Sequence, residues 1–248
     1  MNKGKIELRR NGKNFEAGYC FIKGELNSLL KYHDLLSNSE QSYYDELKFE
    51  RRKASYLLGR ITAKNAVCEL SQADIKSVSI EFGIFHFPVV KKHPAQNIQV
   101  SISHCGDIGI ALAFPEEHPM GIDIEKISFD KVSTMKTTMS LNEIELIDLH
   151  PDLTLATGCT IIWTAKESLA KIFRTGLTID FKVLEIDSIE KIKSCYVSHF
   201  RNVSQYKAIS FHLNEYICSL VIPKKTTIDL DFFLKIFTNN FYDQNQNF

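Results

Sequence analysis

Gly121-Ile-Asp-Ile-Glu-Lys126 repeats the pattern of Gly18-Tyr-Cys-Phe-Ile-Lys23, and the two segments stand 103 residues apart (121 − 18). Farther along each copy, Thr164-Ala-Lys166 repeats Thr62-Ala-Lys64 with a shift of 102 residues (164 − 62). A third pair, shifted by 108 residues (218 − 110), comprises Cys218-Ser-Leu-Val-Ile222 and Ile110-Ala-Leu-Ala-Phe114. Three matches in one order and with nearly constant shifts favour a duplication, in which one strand–helix–strands unit occurs twice.

The elements predicted around these segments follow the same order in both copies. The first copy has a strand at residues 16–23, a long helix at 45–70 and a hairpin at 100–114. The second copy has a strand at 121–127, helices at 141–149 and 160–174, and strands near 182–186, 208–213 and 216–222. We therefore expect an α+β fold of two similar α/β subdomains related by a pseudo-twofold duplication, each a small antiparallel sheet packed with a long helix.

Two prolines, Pro115 and Pro119, mark the best linker between the copies. The predicted organisation is an N-terminal subdomain at residues 1–116, a C-terminal subdomain at 117–224 and a tail at 225–248. The last residues, 243–248, are rich in Asn and Gln, and we expect them to be frayed.

The composition is that of a soluble globular enzyme, with 44% hydrophobic and 24% charged residues. Because the formal net charge is zero, neither nucleic acid nor an anionic membrane is expected as a partner. No apolar run is long enough to span a bilayer, and the polar first residues do not resemble a signal peptide. The six cysteines show no CxxC spacing, which indicates reduced thiols and predicts a cytoplasmic protein.

Two carboxylates in the strand of the second copy are candidate metal ligands. Asp123 and Glu125 lie two residues apart, so both side chains project from one face of the strand. Two hard oxygen donors on one rigid face, with Gly121 leaving room beside them, can hold a divalent cation such as Mg²⁺. The alternative is a half-exposed strand with a solvated acidic face.

The helix that follows carries a third acid. Trp163, Glu167 and Lys171 are spaced by four residues and share one helix face. Glu167 and Lys171 could form only a surface ion pair, which is a common feature of helices. The functional interpretation makes Glu167 a third carboxylate at the cation and Lys171 a phosphate contact. Three acids with nearby lysines indicate phosphoryl chemistry on a pyrophosphate, because Mg²⁺ usually completes its shell with substrate phosphate oxygens.

These two segments, Gly121-Ile-Asp-Ile-Glu125 and Trp163-Thr-Ala-Lys-Glu-Ser168 with Lys171, resemble the signature motifs of the 4′-phosphopantetheinyl transferases. Upstream, Ser101-Ile-Ser-His104 resembles the S-x-S-H segment of that family, and Leu57-Leu-Gly-Arg60 with Lys64 resembles its basic first-half helix. The resemblance runs from about residue 16 to residue 222. It points to the surfactin-type group, whose members are pseudo-duplicated monomers.

The resemblance implies a transferase reaction, that of a holo-[acyl-carrier-protein] synthase. The 4′-phosphopantetheine of coenzyme A would pass to a serine of an acyl or peptidyl carrier protein, with release of 3′,5′-ADP. Mg²⁺, or Mn²⁺ in its place, would be the cofactor, coenzyme A the substrate and a monomer the active form. The carrier could serve fatty acid, polyketide or nonribosomal peptide synthesis, the last two being natural product biosynthesis.

The same resemblance implies a role for each matching residue. Asp123, Glu125 and Glu167 would hold the metal, and Glu167 would also be the general base. Lys171 would stabilise charge on the phosphoryl and leaving groups, assisted by Lys166. The coenzyme's phosphates would be contacted by Ser103 and His104, and its 3′-phosphate by Arg52, Arg60 and Lys64. The alternatives are a hydrogen-bonded hairpin histidine at His104 and a solvated helix face for the three basic residues.

The chain departs from the family at one loop. Where the family has Gly-Lys-Pro or Gly-Arg-Pro, this chain has His86-Phe87-Pro88, so the usual basic contact is missing. Lys91 and Lys92 are candidates to supply that basic contact instead. The first copy also lacks the three acids, since the repeat aligns them with Cys20, Ile22 and Asn65. We therefore predict one metal site per chain, in the second copy, with phosphate contacts supplied by the first.

The stretch between the two motifs is a candidate carrier-docking surface. Val132, Met135 and Met139 could form an exposed apolar patch, or they could simply belong to the core. Two other functions remain open at this point. One is a metal-dependent hydrolase of coenzyme A or nucleotide diphosphates, and the other is a non-catalytic homologue that binds coenzyme A or a carrier.

Overall fold

The computed structural model describes residues 1–91 and 97–242, which divide into two units. Unit 1 comprises Met1–Pro119 with Thr227–Phe233, and unit 2 comprises Met120–Thr226 with the residues from Leu234 onward. The stretch predicted as a tail contains a strand and a helix, and the predicted fraying of residues 243–248 lies outside the described residues.

Unit 1 is built on a five-stranded sheet with the strand order β12-β1-β2-β6-β5. Its strands are β1 Asn2–Arg10, β2 Lys13–Lys23, β3 Ile80–Phe82, β4 Pro88–Val90, β5 Ile98–Cys105, β6 Ile108–Pro115 and β12 Thr226–Ile228. Its helices are α1 Leu26–Leu29, α2 Asn38–Glu46 and α3 Glu50–Ser71. Strands β3 and β4 form a separate antiparallel pair. The long helix α3 packs on β2 and β6, and its buried side chains form the centre of the core.

Unit 2 repeats this plan with a sheet of order β7-β11-β10-β9-β8. Its strands are β7 Gly121–Lys126, β8 Ile186–Ile192, β9 Cys195–Phe200, β10 Tyr206–Leu213 and β11 Tyr216–Pro223. Its helices are α4 Val132–Lys136, α5 Leu141–Asp148 and α6 Leu155–Phe173, and α7 Leu230–Tyr242 closes the described chain. The mixed helices and antiparallel sheets confirm the predicted α+β class.

The strand registers confirm the duplication. Cys20 of β2 lies opposite Ala111 of β6, and Asp123 of β7 lies opposite Ser219 of β11. These positions are related by the shifts of 103 and 108 residues that the sequence matches give. Each sheet therefore contains the same three-stranded unit at one edge, β2-β6-β5 in unit 1 and β7-β11-β10 in unit 2, and the predicted hairpin at residues 100–114 is part of it.

A buried clasp occurs once in each unit. Ser37 is the N-cap of α2, and the Glu40 side chain accepts hydrogen bonds from the backbone N–H groups of Ser37, at 2.7 Å, and of Ile80, at 2.9 Å. The Lys64 ammonium group completes the clasp with a 2.9 Å ion pair to Glu40. One carboxylate thus ties the start of a short helix to strand β3 and to the long helix.

Unit 2 contains the same clasp. The Glu143 side chain accepts from the backbone N–H groups of Ser140, at 2.8 Å, and Ile186, at 2.8 Å. Lys166 donates to Glu143 at 2.7 Å and to the carbonyl oxygen of Thr138 at 3.0 Å. Both capping boxes satisfy backbone donors that a helix start leaves open. The repeat is therefore one of side-chain interactions as well as of strand order, with Ser140 as the N-cap of α5.

Close packing of helix on strand requires two equivalent glycines. A Cβ at Gly18 would overlap the carbonyl oxygen of Ala66, and one at Gly121 would overlap that of Ser168. Neither carbonyl can move without shifting a whole helix, because each belongs to the helix backbone. Gly18 and Gly121 therefore fix how near α3 and α6 approach their strands.

Gly18→Ala is accordingly expected to destabilise the chain by about 3 kcal/mol, as severe overpacking does. The matched control is Gly59→Ala in the interior of α3, where a Cβ would lie at an ordinary 3.6 Å from Ile102. We expect that variant to gain about 0.5–1 kcal/mol, because glycine is costly inside a helix. Urea unfolding measures both changes, and equal stabilities of the two variants would contradict this packing.

Several predicted boundaries were wrong. The helix expected at residues 45–70 is two helices, since Leu47 adopts an extended backbone conformation between α2 and α3. Strand β1 precedes the strand expected to open the fold, and β9 and α7 were not predicted. The strand expected near residues 182–186 is β8, which begins at Ile186. Among the described residues, no helix has the length and apolar character that a membrane span requires.

Candidate active site

The predicted acidic site lies where α6 packs against β7 in unit 2. Asp123 is buried on β7, and Glu167 is half-buried on α6. Partial removal from water raises the pKa of Glu167 to about 7, helped by the negative charges of Asp123 and Glu125 and opposed by Lys171. These mutual charge effects show that the structure brings the three predicted carboxylates into one neighbourhood.

Buried hydroxyl groups set the position of α6 on the sheet. Ser219 of β11 lies directly opposite Asp123 in the strand register. Its hydroxyl is 2.6 Å from that of Thr164 and 2.7 Å from that of Ser210, and its carbonyl oxygen accepts from the Ser168 hydroxyl at 2.9 Å. Because Glu167 is next to Ser168 in α6, this network fixes the position of Glu167 relative to Asp123. The sequence analysis did not identify this supporting network.

Two lysines hold the strand carboxylates. Lys171 donates to Asp123 Oδ1 at 2.8 Å and to the carbonyl oxygen of Ile122 at 2.8 Å. Lys131 donates to Glu125 Oε2 at 2.7 Å. Of these two lysines, the sequence pointed to Lys171 but not to Lys131, which has no counterpart in the quoted motifs.

The three carboxylates have the donor chemistry of a divalent-metal site but not yet its arrangement. Within the described residues, no group of three or more His, Cys, Asp or Glu side chains is arranged to hold a metal ion as it stands. The donor types nevertheless fit Mg²⁺, since Asp123, Glu125 and Glu167 offer hard oxygen ligands. Their negative charges repel one another, and a cation would relieve that repulsion. The ion pairs with Lys131 and Lys171 show that these carboxylates already attract cations. In unit 1 the equivalent Cys20, Ile22 and Asn65 offer no carboxylate.

Lys64 and Lys166 do not lie at a surface where a ligand could reach them. Both side chains are 0% exposed, and each ammonium group is enclosed in its clasp with Glu40 or Glu143. Burial lowers the pKa of Lys166, and Glu143 opposes that shift. The expectation that Lys64 and Lys166 contact phosphate is therefore wrong. Their burial and their ion pairs give both lysines a structural role.

Unit 1 has a cavity of about 470 Å³ that gathers three of the predicted coenzyme contacts. Arg52 and Arg60 of α3 line it together with His104 at the end of β5. The remaining lining is largely aromatic or apolar and includes Tyr43, Tyr56, Phe82, Pro88 and Ile102. Ser103, the neighbour of His104, is buried and does not line this cavity. Successive residues of a strand point to opposite faces, which accounts for the separation of Ser103 from His104.

Arg60 is the central charge of this cavity. It is only 5% exposed, and its guanidinium carbon lies 4.6 Å from the ring centre of Tyr56 and 4.4 Å from that of Phe82. Burial raises the pKa of Tyr56, whereas the charge of Arg60 and its hydrogen bond to Tyr56 oppose that shift. Nε and Nη2 of Arg60 have no hydrogen-bond partner among the described residues. These two donors form one edge of the guanidinium fork, which matches a pair of phosphate or carboxylate oxygens.

The loop that departs from the family also reaches this cavity. His86 and Pro88 line it, and His86 packs against Phe82 with ring centres 5.6 Å apart. Phe85 and His86 both have positive φ angles, near 60°, which are uncommon for residues other than glycine. Lys91 is exposed and lies outside the lining of this cavity, while Lys92 lies outside the described residues. The loop therefore supplies an imidazole and aromatic packing at this cavity.

The predicted carrier-docking patch is not on the surface. Met135 and Met139 are 3% and 5% exposed and belong to the core of unit 2, and Val132 packs against the same core. Core packing is thus the correct alternative for these residues. The exposed apolar side chains next to this stretch are Phe129 and Leu141.

One comparison with known protein families agrees with the motifs. Residues 119–221 match the 4′-phosphopantetheinyl transferase superfamily. A solved holo-(acyl-carrier-protein) synthase from Bacillus anthracis str. Ames, in complex with CoA (3′,5′-ADP), is similar at 19% sequence identity and a TM-score of 0.34. That alignment covers 39% of this chain and 93% of the synthase chain. No curated protein matches this chain.

Proposed function

Because residues 119–221 match the 4′-phosphopantetheinyl transferase superfamily, we propose that the chain is a transferase of this kind and modifies a carrier protein with coenzyme A. The 4′-phosphopantetheine group would pass to a serine hydroxyl of an acyl or peptidyl carrier protein, and 3′,5′-ADP would leave. The observation that carries this proposal is the position of the half-buried Glu167 on α6, close to Asp123 and Lys171 of the acidic site. A carboxylate in that position can take up the proton of an attacking hydroxyl group.

Glu167 and Lys171 would have separate roles in this transfer. The carrier serine loses its proton to the Glu167 carboxylate, directly or through one water, as its oxygen attacks the phosphorus that bears pantetheine. A new bond forms between the serine oxygen and phosphorus, and the bond from phosphorus to the oxygen of 3′,5′-ADP breaks. Lys171 uses two of its three N–H donors on Asp123 and Ile122, so the third can neutralise charge on a phosphoryl oxygen.

Asp123, Glu125 and Glu167 would hold one divalent ion per chain, Mg²⁺ or Mn²⁺. Such an ion supplies charge neutralisation at the pyrophosphate oxygens. The donor types support this assignment, and because a carboxylate has two oxygens, Asp123 can coordinate the ion while it keeps its ion pair with Lys171.

Arg60 is proposed to bind the 3′-phosphate of coenzyme A. Arg60, Arg52 and His104 line one cavity, and the positive charges of the two arginines suit a phosphate monoester. This arrangement would supply the positive charge that the loop at His86-Phe87-Pro88 lacks.

Arg60→Lys is therefore expected to weaken coenzyme A binding about tenfold or more, because an ammonium group cannot replace a planar guanidinium that packs against the rings of Tyr56 and Phe82. Binding of dephospho-coenzyme A, which lacks the 3′-phosphate, should change little. Arg51→Lys on the same helix is the control, since Arg51 is exposed and does not line the cavity. Calorimetric titration measures these affinities, and equal losses for both ligands would contradict the assignment.

The proposed function is tested by the mass of the carrier. The chain is incubated with coenzyme A, Mg²⁺ and an unmodified carrier domain, and the intact carrier is then weighed by mass spectrometry. We expect the carrier to gain one phosphopantetheine, and a carrier variant in which the serine is replaced by alanine should gain nothing. Binding of the carrier without any mass change would instead identify a non-catalytic binding protein.

A further inference from the structure

Lys131 makes an ion pair with one of the proposed metal ligands. It ends the short 3₁₀ turn Phe129–Lys131 that follows β7, and its ammonium group reaches back to Glu125 Oε2 at 2.7 Å. The Lys131 side chain is 48% exposed and that of Glu125 is 25% exposed. The pair therefore lies at the solvent side of the acidic site, whereas Lys171 holds the buried Asp123.

A carboxylate oxygen that accepts a short hydrogen bond from an ammonium group is partly occupied and donates less electron density to a metal. A divalent ion must therefore displace Lys131 from Glu125 or share that carboxylate with it. The positive charge of Lys131 also repels the approaching ion, since the two would lie a few ångströms apart. Both effects act in one direction, and each lowers the affinity for metal.

We propose that Lys131 sets the metal affinity of the site by competing with the divalent ion for Glu125. Before metal binds, the ammonium group neutralises Glu125 and limits repulsion among the three acids. When metal binds, Lys131 leaves Glu125 and moves into solvent. Breaking this ion pair costs little free energy, because the Lys131 side chain is already half-exposed. This inference rests on the proposed function, because it takes Asp123, Glu125 and Glu167 as the metal ligands.

The test measures metal binding rather than turnover. Mn²⁺ alone is titrated into the full chain, and free Mn²⁺ is followed by its electron paramagnetic resonance signal. Lys131→Met should bind Mn²⁺ about two- to fivefold more tightly than the original chain, the range that an exposed ion pair contributes. Lys131→Arg keeps the charge and should stay close to the original affinity.

Lys126→Met is the matched control. Lys126 ends β7 and pairs with Glu215 at 3.0 Å, with 49% of its side chain exposed, so its removal takes away an equally exposed charge without touching Glu125. Equal tightening in Lys126→Met and Lys131→Met would reduce the effect to net charge and overturn the proposal. Unchanged or weaker binding by Lys131→Met would overturn it as well. The transfer reaction itself would remain testable, because carrier modification is measured separately.

Discussion

Glu167→Gln is expected to slow carrier modification by about 10³-fold, within the range that general-base catalysis contributes. The amide cannot accept the serine proton, and it removes the group whose pKa is raised to about 7. The side chain keeps its size, so α6 should keep its position on β7. Single-turnover measurements with saturating coenzyme A, carrier and Mg²⁺ isolate this effect from binding.

Glu145→Gln provides the control for this variant. Glu145 is exposed on α5, and the same loss of a carboxylate there should leave the rate within about twofold of the original. The affinity of Glu167→Gln for the carrier should also persist, because the proposed defect is chemical. If Glu167→Gln kept the original rate, Glu167 would not be the base and its raised pKa would reflect burial alone.

Lys166→Met is expected to destabilise the chain by about 3–5 kcal/mol, because it leaves the Glu143 carboxylate buried without its counter-charge. Glu143 is fully buried and also accepts the hydrogen bonds that start α5 and place β8. Lys64→Met should have an effect of similar size in unit 1, since Glu40 holds the equivalent position. The midpoint and slope of urea unfolding measure each loss.

Two further variants separate burial from the mere loss of an ion pair. Adding Glu143→Gln to Lys166→Met should recover part of the stability, because the neutral amide can still accept one of the two backbone hydrogen bonds. Lys126→Met removes an exposed pair and should change stability by no more than about 1 kcal/mol. If Lys166→Met were as stable as Lys126→Met, the buried clasp would not contribute as described.

The duplication and the acidic site could be predicted because both are local patterns. Gly121 and Gly18 stand at equivalent strand positions, and the register of each sheet follows the shifts read from the sequence. Asp123 and Glu167 meet because a strand and the helix packed on it bring one face of each together. These relationships depend on periodicity, which a single sequence shows.

The roles of Lys64 and Lys166 could not be predicted from the motif that contains them. Their partners, Glu40 and Glu143, lie 24 and 23 positions earlier in the chain, inside capping boxes. A capping box predicts the start of a helix but not the burial of its acid. One signal was present, since the lysine occurs in both copies while the acids proposed to bind metal occur in one. A residue that both copies share is better explained by the fold than by chemistry that only one copy performs.

The cavity of unit 1 was predicted only in part. Arg52, Arg60 and His104 were recognised, but the rings that enclose Arg60 come from separate segments of the chain. Tyr56 precedes Arg60 by one helical turn, which is a local signal, whereas Phe82 belongs to β3 and arrives through the fold. The prediction that Met135 and Met139 lie on the surface was wrong for the same reason, since the burial of a helix residue depends on which other elements pack against the helix.

The central claim, transfer of phosphopantetheine to a carrier, is tested most directly by measuring 3′,5′-ADP release together with carrier mass. The chain is supplied with coenzyme A and Mg²⁺, with and without the unmodified carrier. We predict one 3′,5′-ADP for each modified carrier and almost none when the carrier is absent. Release of 3′,5′-ADP at the same rate without a carrier would contradict the account and identify a hydrolase of coenzyme A.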